Sequence, residues 1–412
     1  MNPSSLARKS SAPIRASRPW LALGATLLLV TACGGGGGST DNWPALKTID
    51  ATAMQQAVST RAAQLLVPGA VVIVRTPKGD FTSSYGVTTY KGSTPTNTDL
   101  HMRIGSLTKT WTGTVILQEV QEGLLKLSDP VSKFRAGVPK GDQITIEQLL
   151  AMRTGLFNYS TTVEFNQALD DAPQRVWTQD ELLAMAFGHP QSFDPGTAWE
   201  YSNTNTVLLG LIAETVEKGK PLAAIMQDRL FTPLKLKNTV FPDTTVNTLP
   251  APFSHGYQYG TNVQTLKPLS ADMQAAARAG TLLPNDQTFD NPSWGWSAGA
   301  GISSANDLVT WVQALVGGNL LNADLQAARL ASVQSTTNPA VANAPGYGWA
   351  IAKFGPLYGH TGELPGFNTF MGYDPVNKVT VVVWTNLEPT VDGKAAANQI
   401  AMDLIGQIYV AP

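Results

Sequence analysis

Apolar and polar positions alternate with two different periods along this chain. Between residues 43 and 67 the apolar positions Leu46, Ile49, Ala57, Leu65 and Leu66 predict an amphipathic helix that breaks at Pro68-Gly69. Two strands follow at 70–75 and 81–87, joined across Pro77-Lys78-Gly79-Asp80. The C-terminal end mirrors this arrangement. Residues 369–373 and 378–385 predict strands separated by the turn Asp374-Pro375-Val376-Asn377, and a closing helix is predicted over 394–409 with Ile400, Leu404 and Ile408 on one face. The middle, about 106–290, reads as mostly helical and loop-rich, with apolar patches at 146–152 and 207–216. No internal repeat is visible. The expected class is α+β: one antiparallel sheet flanked by N- and C-terminal helices, a mostly helical lobe, and a cleft between them. The sheet lobe is expected from about 44–105 and 291–412, the helical lobe from about 106–290.

The first forty residues break the pattern. Residues 1–20 are polar and basic, and 21–30 form an apolar run of ten. That is about half of the ~20 residues a membrane-crossing helix needs, so the run reads as a secretion signal and not a span. It ends in Val30-Thr31-Ala32-Cys33, and Cys33 is the only cysteine. The stretch resembles a bacterial lipoprotein signal over residues 1–32, which implies a lipidated Cys33. Acyl chains contributing about 0.8 kcal/mol per buried methylene would then anchor the protein to a membrane surface. Residues 33–43, with Gly34 through Gly38, read as a flexible tether. The expected location is the cell envelope, on the periplasmic side.

Charge and composition narrow the chemistry. The 412 residues carry 28 Lys+Arg and 30 Asp+Glu. Residues before Cys33 hold four cations (Arg8, Lys9, Arg15, Arg18) and no acids, so the remainder has 24 cations against 30 acids, a net of −6. Such a chain exerts no general attraction on phosphate backbones, and a nucleic-acid partner is not expected. With 43% hydrophobic and 14% charged residues, the chain can build a sizeable core. A lone cysteine excludes an intramolecular disulfide and a cysteine-based zinc cluster. His101, His189, His255 and His360 form no i, i+4 pair, so neither a metal nor another cofactor is expected.

Three stretches carry candidate chemistry. Arg103-Ile104-Gly105-Ser106-Leu107-Thr108-Lys109 opens a helical pattern (Trp111, Val115, Val120) that stops at Gly123. On a helix, Ser106 and Lys109 stand three apart and share a face. A serine hydroxyl becomes a useful nucleophile only when a base takes its proton, and a desolvated lysine can have the pKa for that task. Further on, Tyr201 and Asn203 stand two apart in a segment that begins with a turn; in extended backbone both side chains point the same way. A phenol can shuttle a proton and an amide can hold a substrate amide. The third stretch, Tyr358-Gly359-His360-Thr361-Gly362-Glu363, precedes the C-terminal strand pair.

In this order the three elements resemble the penicillin-recognising serine hydrolases: penicillin-binding DD-peptidases, class C β-lactamases and related esterases. Tyr201-x-Asn203 is similar to the class C and D-alanyl-D-alanine carboxypeptidase branch, and His360-Thr361-Gly362 to its His-for-Lys subgroup. The stretches Leu149 to Leu156 and Ser297-Ala298-Gly299 also match, and the likeness covers about residues 65–390. It implies a β-lactamase/transpeptidase-like fold with the site in the cleft. It implies Ser106 as nucleophile, with Lys109 and Tyr201 sharing its proton. The backbone N–H groups of Ser106 and Glu363 would hold the oxyanion, and Asn203, Thr361 and Gly362 would contact substrate. His360 would line the opposite wall, tune Tyr201 and, with an ordinary pKa near 6.5, make activity pH-sensitive.

Two alternatives stay open at this level. Gly295-Trp296-Ser297-Ala298-Gly299 fits the G-x-S-x-G nucleophile elbow, with His360 downstream, although no strand pattern precedes it and no helix follows directly. The substrate is also open. A peptidoglycan stem peptide ending in D-Ala-D-Ala fits the His360 motif and the exported location. Its terminal carboxylate calls for a cation, yet Lys353 is the only one between Gly346 and His360. A carboxylesterase or β-lactamase with the same machinery is the second reading; Trp199, Trp294 and Trp296 would suit an apolar acyl site. A penicillin-binding sensor that acylates and stalls is the third.

Overall fold

A computed structural model describes residues 44–337 and 344–410. The expected secretion signal, Cys33 and the expected glycine tether lie outside the described residues. Within them, no helix is long and apolar enough to cross a membrane.

An eight-stranded antiparallel sheet organises the molecule. Its strands are β1 (Gly69–Thr76), β2 (Gly79–Gly86), β3 (Gln334–Ser335), β4 (Gly346–Tyr347), β5 (Ala352–Phe354), β6 (Leu357–Leu364), β7 (Phe367–Asp374) and β8 (Val379–Thr385), in the order β2-β1-β8-β7-β6-β5-β4-β3. The central strands read as nearly continuous apolar runs because both faces are covered. On β1, Val72 and Val74 face α1 (Ala51–Gln64) and α5 (Ala396–Ile408), where Met54, Val58, Ile400 and Leu404 are buried. Val71 and Ile73 point the other way, towards Leu308, Trp311 and Val312 of α4 (Ala305–Gly317).

Local chemistry sets the element ends. Asp50 caps α1 by accepting from the Ala53 amide at 3.0 Å. The expected helix over 43–67 is therefore shorter, and its first residues run extended to a bridge between Leu46 and Tyr409. The Asp374 carboxylate accepts the amides of Val376 and Asn377, closing the turn between β7 and β8 where it was expected. Strand β6 was not expected. Its sequence, LYGHTGEL, has two glycines and little β-branching, and it becomes a strand by pairing with β5 and β7.

The middle of the chain is mainly helical, as expected, with one two-residue ribbon of Tyr257–Gln258 against Asn285–Asp286. At its centre lies α2 (Thr108–Gln121), buried on nearly every side. Beside it runs α3 (Asn203–Val216). One apolar core runs from Val71, Met371 and Trp384 in the sheet through Trp111 to Leu149 and Phe231. This core therefore runs without a break from the sheet into the helical middle, while a second cluster fills the other face of the sheet.

Candidate active site

Ser106 does not sit within α2. It occupies a 3₁₀ turn, Gly105–Leu107, just ahead of the helix, and follows Gly105 at φ +54°, a left-handed conformation that favours glycine. Space adds a second demand, since a Cβ on Gly105 would fall 2.5 Å from the Glu363 backbone nitrogen. The same closeness recurs one residue earlier on β6, where a Cβ on Gly362 would lie 2.0 Å from the Ile104 carbonyl oxygen. Two glycines therefore let the serine turn press directly on β6 and put the amide of Glu363 beside the backbone of the serine.

Two side chains meet the Ser106 hydroxyl. Tyr201 Oη donates to Ser106 Oγ at 2.8 Å, and Lys109 Nζ lies 3.0 Å from the same oxygen. Lys109 is fully buried and directs hydrogens to Asn203 Oδ1 and to the Ala298 carbonyl, each at 2.7 Å. Both partners are acceptors. With two hydrogens committed, the third tetrahedral position of Nζ faces Ser106. Burial holds the Lys109 amine well below the ordinary lysine range, against the opposing pull of the Glu363 carboxylate. A neutral amine in this frame aims its lone pair at the serine hydroxyl.

Tyr201 lies just before α3 and Asn203 opens it, and both side chains reach the serine–lysine pair, Tyr201 at Ser106 and Asn203 at Lys109, on the common side that their spacing predicted. Burial pushes the Tyr201 phenol well above its ordinary value, with Tyr347 adding and the Ser106 hydrogen bond opposing. The phenol therefore carries its proton. The amide of Asn203 was expected to hold substrate. Its oxygen takes Lys109 and its nitrogen donates one hydrogen to Ser160 Oγ at 2.9 Å, so both ends also serve the protein's own machinery.

His360 also departs from expectation. Its ring is fully buried, and Nδ1 lies 2.6 Å from the Thr361 carbonyl, an acceptor, so Nδ1 carries the hydrogen. Nε2 then accepts from the Tyr347 hydroxyl at 3.1 Å. Burial pushes the His360 pKa down to about 3, with Thr361 opposing and Lys109 adding. The imidazole is a neutral strut behind Tyr347, and not the pH-sensitive wall residue anticipated. Tyr347 in turn packs edge-on against Tyr201, ring centres 6.3 Å apart. Thr361 is buried too, while Gly362 turns its carbonyl to Asn368 Nδ2 at 3.1 Å.

The elbow serine is excluded by its surroundings. Ser297 is fully buried in a 3₁₀ turn, Trp296–Ala298, and donates to the Thr206 carbonyl at 2.9 Å. Its stretch contributes main chain instead, through the Ala298 carbonyl on Lys109. Of the three tryptophans, Trp296 is core, Trp199 packs on Tyr347 at 5.9 Å, and Trp294 lines a cavity beside the β6–β7 turn. Lys353 sits on strand β5, between β6 and β4, with Nζ 4.8 Å from the Tyr358 ring centre. Sequence reasoning missed Tyr347, Ser160 and the Ala298 carbonyl. A main-chain acceptor leaves no mark in sequence, and the other two lie outside any pattern tied to the chemistry.

Comparison with known proteins agrees with this architecture. The family model described as Beta-lactamase matches residues 54–404. Protein flp of Staphylococcus aureus is 27% identical over 327 residues, which is 78% of this chain and 60% of that protein's length, so the chain spans less than two thirds of this relative. A putative penicillin-binding protein, PbpX, of Bacillus subtilis is 25% identical over 83% of this chain and 76% of its own. A crystal structure of a D-stereospecific amidohydrolase from Streptomyces superposes with a TM-score of 0.72 at 30% identity, covering 85% of this chain and 97% of that one. The D-amino acid amidase from Ochrobactrum anthropi, at 23% identity and a TM-score of 0.69, shares the fold. With its serine turn, buried lysine and phenol carried on this sheet, the chain belongs to the beta-lactamase family of serine hydrolases.

Proposed function

We propose that this hydrolase cleaves the amide bond on the carboxyl side of a D-configured residue through an acyl-enzyme on Ser106, with peptides ending in D-Ala-D-Ala as the expected natural substrate class. One observation carries the reading: a fully buried lysine nitrogen and a buried phenol both within 3.0 Å of a single serine hydroxyl, with burial pushing the lysine pKa down and the phenol pKa up. The similarity to a D-stereospecific amidohydrolase supports the D-configuration.

The chemistry follows from those two protonation states. Ser106 Oγ adds to the carbonyl carbon as its proton passes to the Lys109 lone pair. The resulting oxyanion is held by the amides of Ser106 and Glu363; losing one such donor typically costs on the order of 10²–10³ in rate. Tyr201 gives its proton to the departing nitrogen, the C–N bond breaks, and Lys109 restores the phenol's proton. Water then enters, loses a proton to the same pair, and releases the acid and Ser106. Asn203 and Ala298 act by keeping two lysine hydrogens occupied. His360 and Tyr347 brace Tyr201 from behind.

A substrate panel tests this reading. The protein is offered a D-Ala-D-Ala peptide, the D and L forms of one amino-acid amide, a short-chain ester and a fluorescent penicillin. Turnover of the peptide or of the D-amide over the L-amide is expected. Ester or lactam turnover with both D-substrates untouched would replace it with the esterase or β-lactamase reading, and a stable penicillin adduct without turnover would point to a sensor.

We also propose that the protein is exported and held at the cell envelope through a lipid on Cys33. Incorporation of a labelled fatty acid in bacteria, lost together with membrane association in Cys33→Ser, is the expected result.

A further inference from the structure

We propose that Asn158 and Ser160 are positioning residues which fix the orientation of the Asn203 amide, and through it the donor pattern around Lys109. This rests on the reading of Lys109 as the base for Ser106.

The argument starts from a group that cannot be reversed. The backbone N–H of Asn203 is a donor, and it lies 3.1 Å from the Asn158 side-chain oxygen. That contact settles which end of Asn158 faces α3. Ser160 Oγ lies 3.1 Å from the same oxygen. Since a carbonyl oxygen can only accept, the single hydroxyl proton of Ser160 is committed there. Ser160 therefore offers a lone pair to its other neighbour, and Asn203 must turn its NH₂ towards it, at 2.9 Å. The Asn203 oxygen is left facing Lys109 Nζ at 2.7 Å. Ser160 is itself held, because Asn166 Nδ2 donates to its main-chain carbonyl at 3.1 Å.

Each link dictates the next, from a main-chain amide to the reacting lysine. An asparagine amide is nearly symmetric in shape, so packing alone does not choose its orientation. Without the Ser160 hydroxyl, the reversed amide becomes accessible. It would present NH₂ to Nζ, occupy the amine lone pair, and leave nothing to take the serine proton. The reversed amide also favours the neutral amine over the ammonium, so it lowers the lysine pKa while it lowers the rate.

The test uses the full chain and the rate at which a fluorescent fluorophosphonate labels Ser106 across a pH series. Ser160→Ala is expected to slow labelling about tenfold or more, with the acid limb moved to lower pH. Ser160→Thr keeps a hydroxyl and is expected within about threefold of the parent. On an Asn203→Ala background, adding Ser160→Ala should change the rate by less than about twofold, since the pair acts as one unit. Parent-like labelling of Ser160→Ala would overturn the proposal. Slowing with an unmoved acid limb, repeated in full on the Asn203→Ala background, would overturn it as well, because that is the mark of a merely structural role. The underlying reading fails separately: either the parent does not label, or Ser106→Ala labels as the parent does.

Discussion

At the scale of single residues, the candidate site works by withholding protons and charges from where they would ordinarily lie. Burial keeps Lys109 low and Tyr201 high, so the lysine is ready to accept a proton and the phenol to give one. His360 is taken out of the working pH range, at about 3. The sign of the pH dependence follows. Activity should fall on acidification as Lys109 becomes an ammonium, through a pKa below the ordinary lysine range, and no ionisation of His360 should appear near 6.5. A profile of kcat/KM against pH checks this: His360→Gln is expected to keep the shape of the parent curve. A break near 6.5 that vanishes in that variant would return His360 to a titrating role. Ser106, Lys109 and Tyr201 were legible as a set because spacing and order marked them. What each does was not, since protonation depends on neighbours such as Ala298 and Tyr347 that are remote in sequence.

At the scale of elements, the decisive contact is between the serine turn and β6. Sheet pairing holds β6 through register partners such as Gly362 with Thr369. The Thr369 hydroxyl also donates to the Ile104 carbonyl at 3.0 Å, tying β7 to the turn. Gly362 is required here for closeness, with no room for even a methyl beside Ile104. Gly362→Ala should push β6 away from the turn. Overpacking of this kind typically costs about 1–3 kcal/mol, so the melting temperature should drop by several degrees and acylation of Ser106 should fall more than stability alone explains. An unchanged melting temperature and rate would mean that the two segments are looser than described. The central strands were legible from their valine-rich runs. Strand β6 was not, because glycines chosen for close approach erase the pattern by which a strand is recognised.

At the scale of the whole molecule, helix α2 is packed in the core that links the sheet to the helical middle and carries a buried acid with no part in the chemistry proposed. Glu119 is fully buried, and neither carboxylate oxygen has a hydrogen-bond partner among the described residues. Burial raises its pKa to about 8, opposed by Arg229 and assisted by Glu217 and Glu122. Unfolded, the same group titrates near 4.3. Between these values the folded protein keeps a proton that the unfolded chain releases, so this group's contribution to stability declines from about pH 4.3 to about 8 and then levels off. Glu119→Gln removes the ionisation. Thermal unfolding should show the variant close to the parent at pH 5 and more stable at pH 8. Equal melting temperatures at both values would mean that the carboxylate finds a partner on ionising.

What the sequence determined by itself was the local and the periodic. Two strand pairs, each with one valine-rich member, terminal helices and a helical middle follow from spacings of two and three to four residues, and the ordered motifs around Ser106, Tyr201 and His360 named the family. Tertiary structure decided the rest. It set the Asn203 amide against the lysine, buried His360 behind Tyr347, and made main chain at Ala298 part of the site. The reason is physical: hydrogen-bond partnership and desolvation depend on groups brought together from residues 106, 158, 201, 298 and 347, and no local pattern encodes which of them end up facing one another.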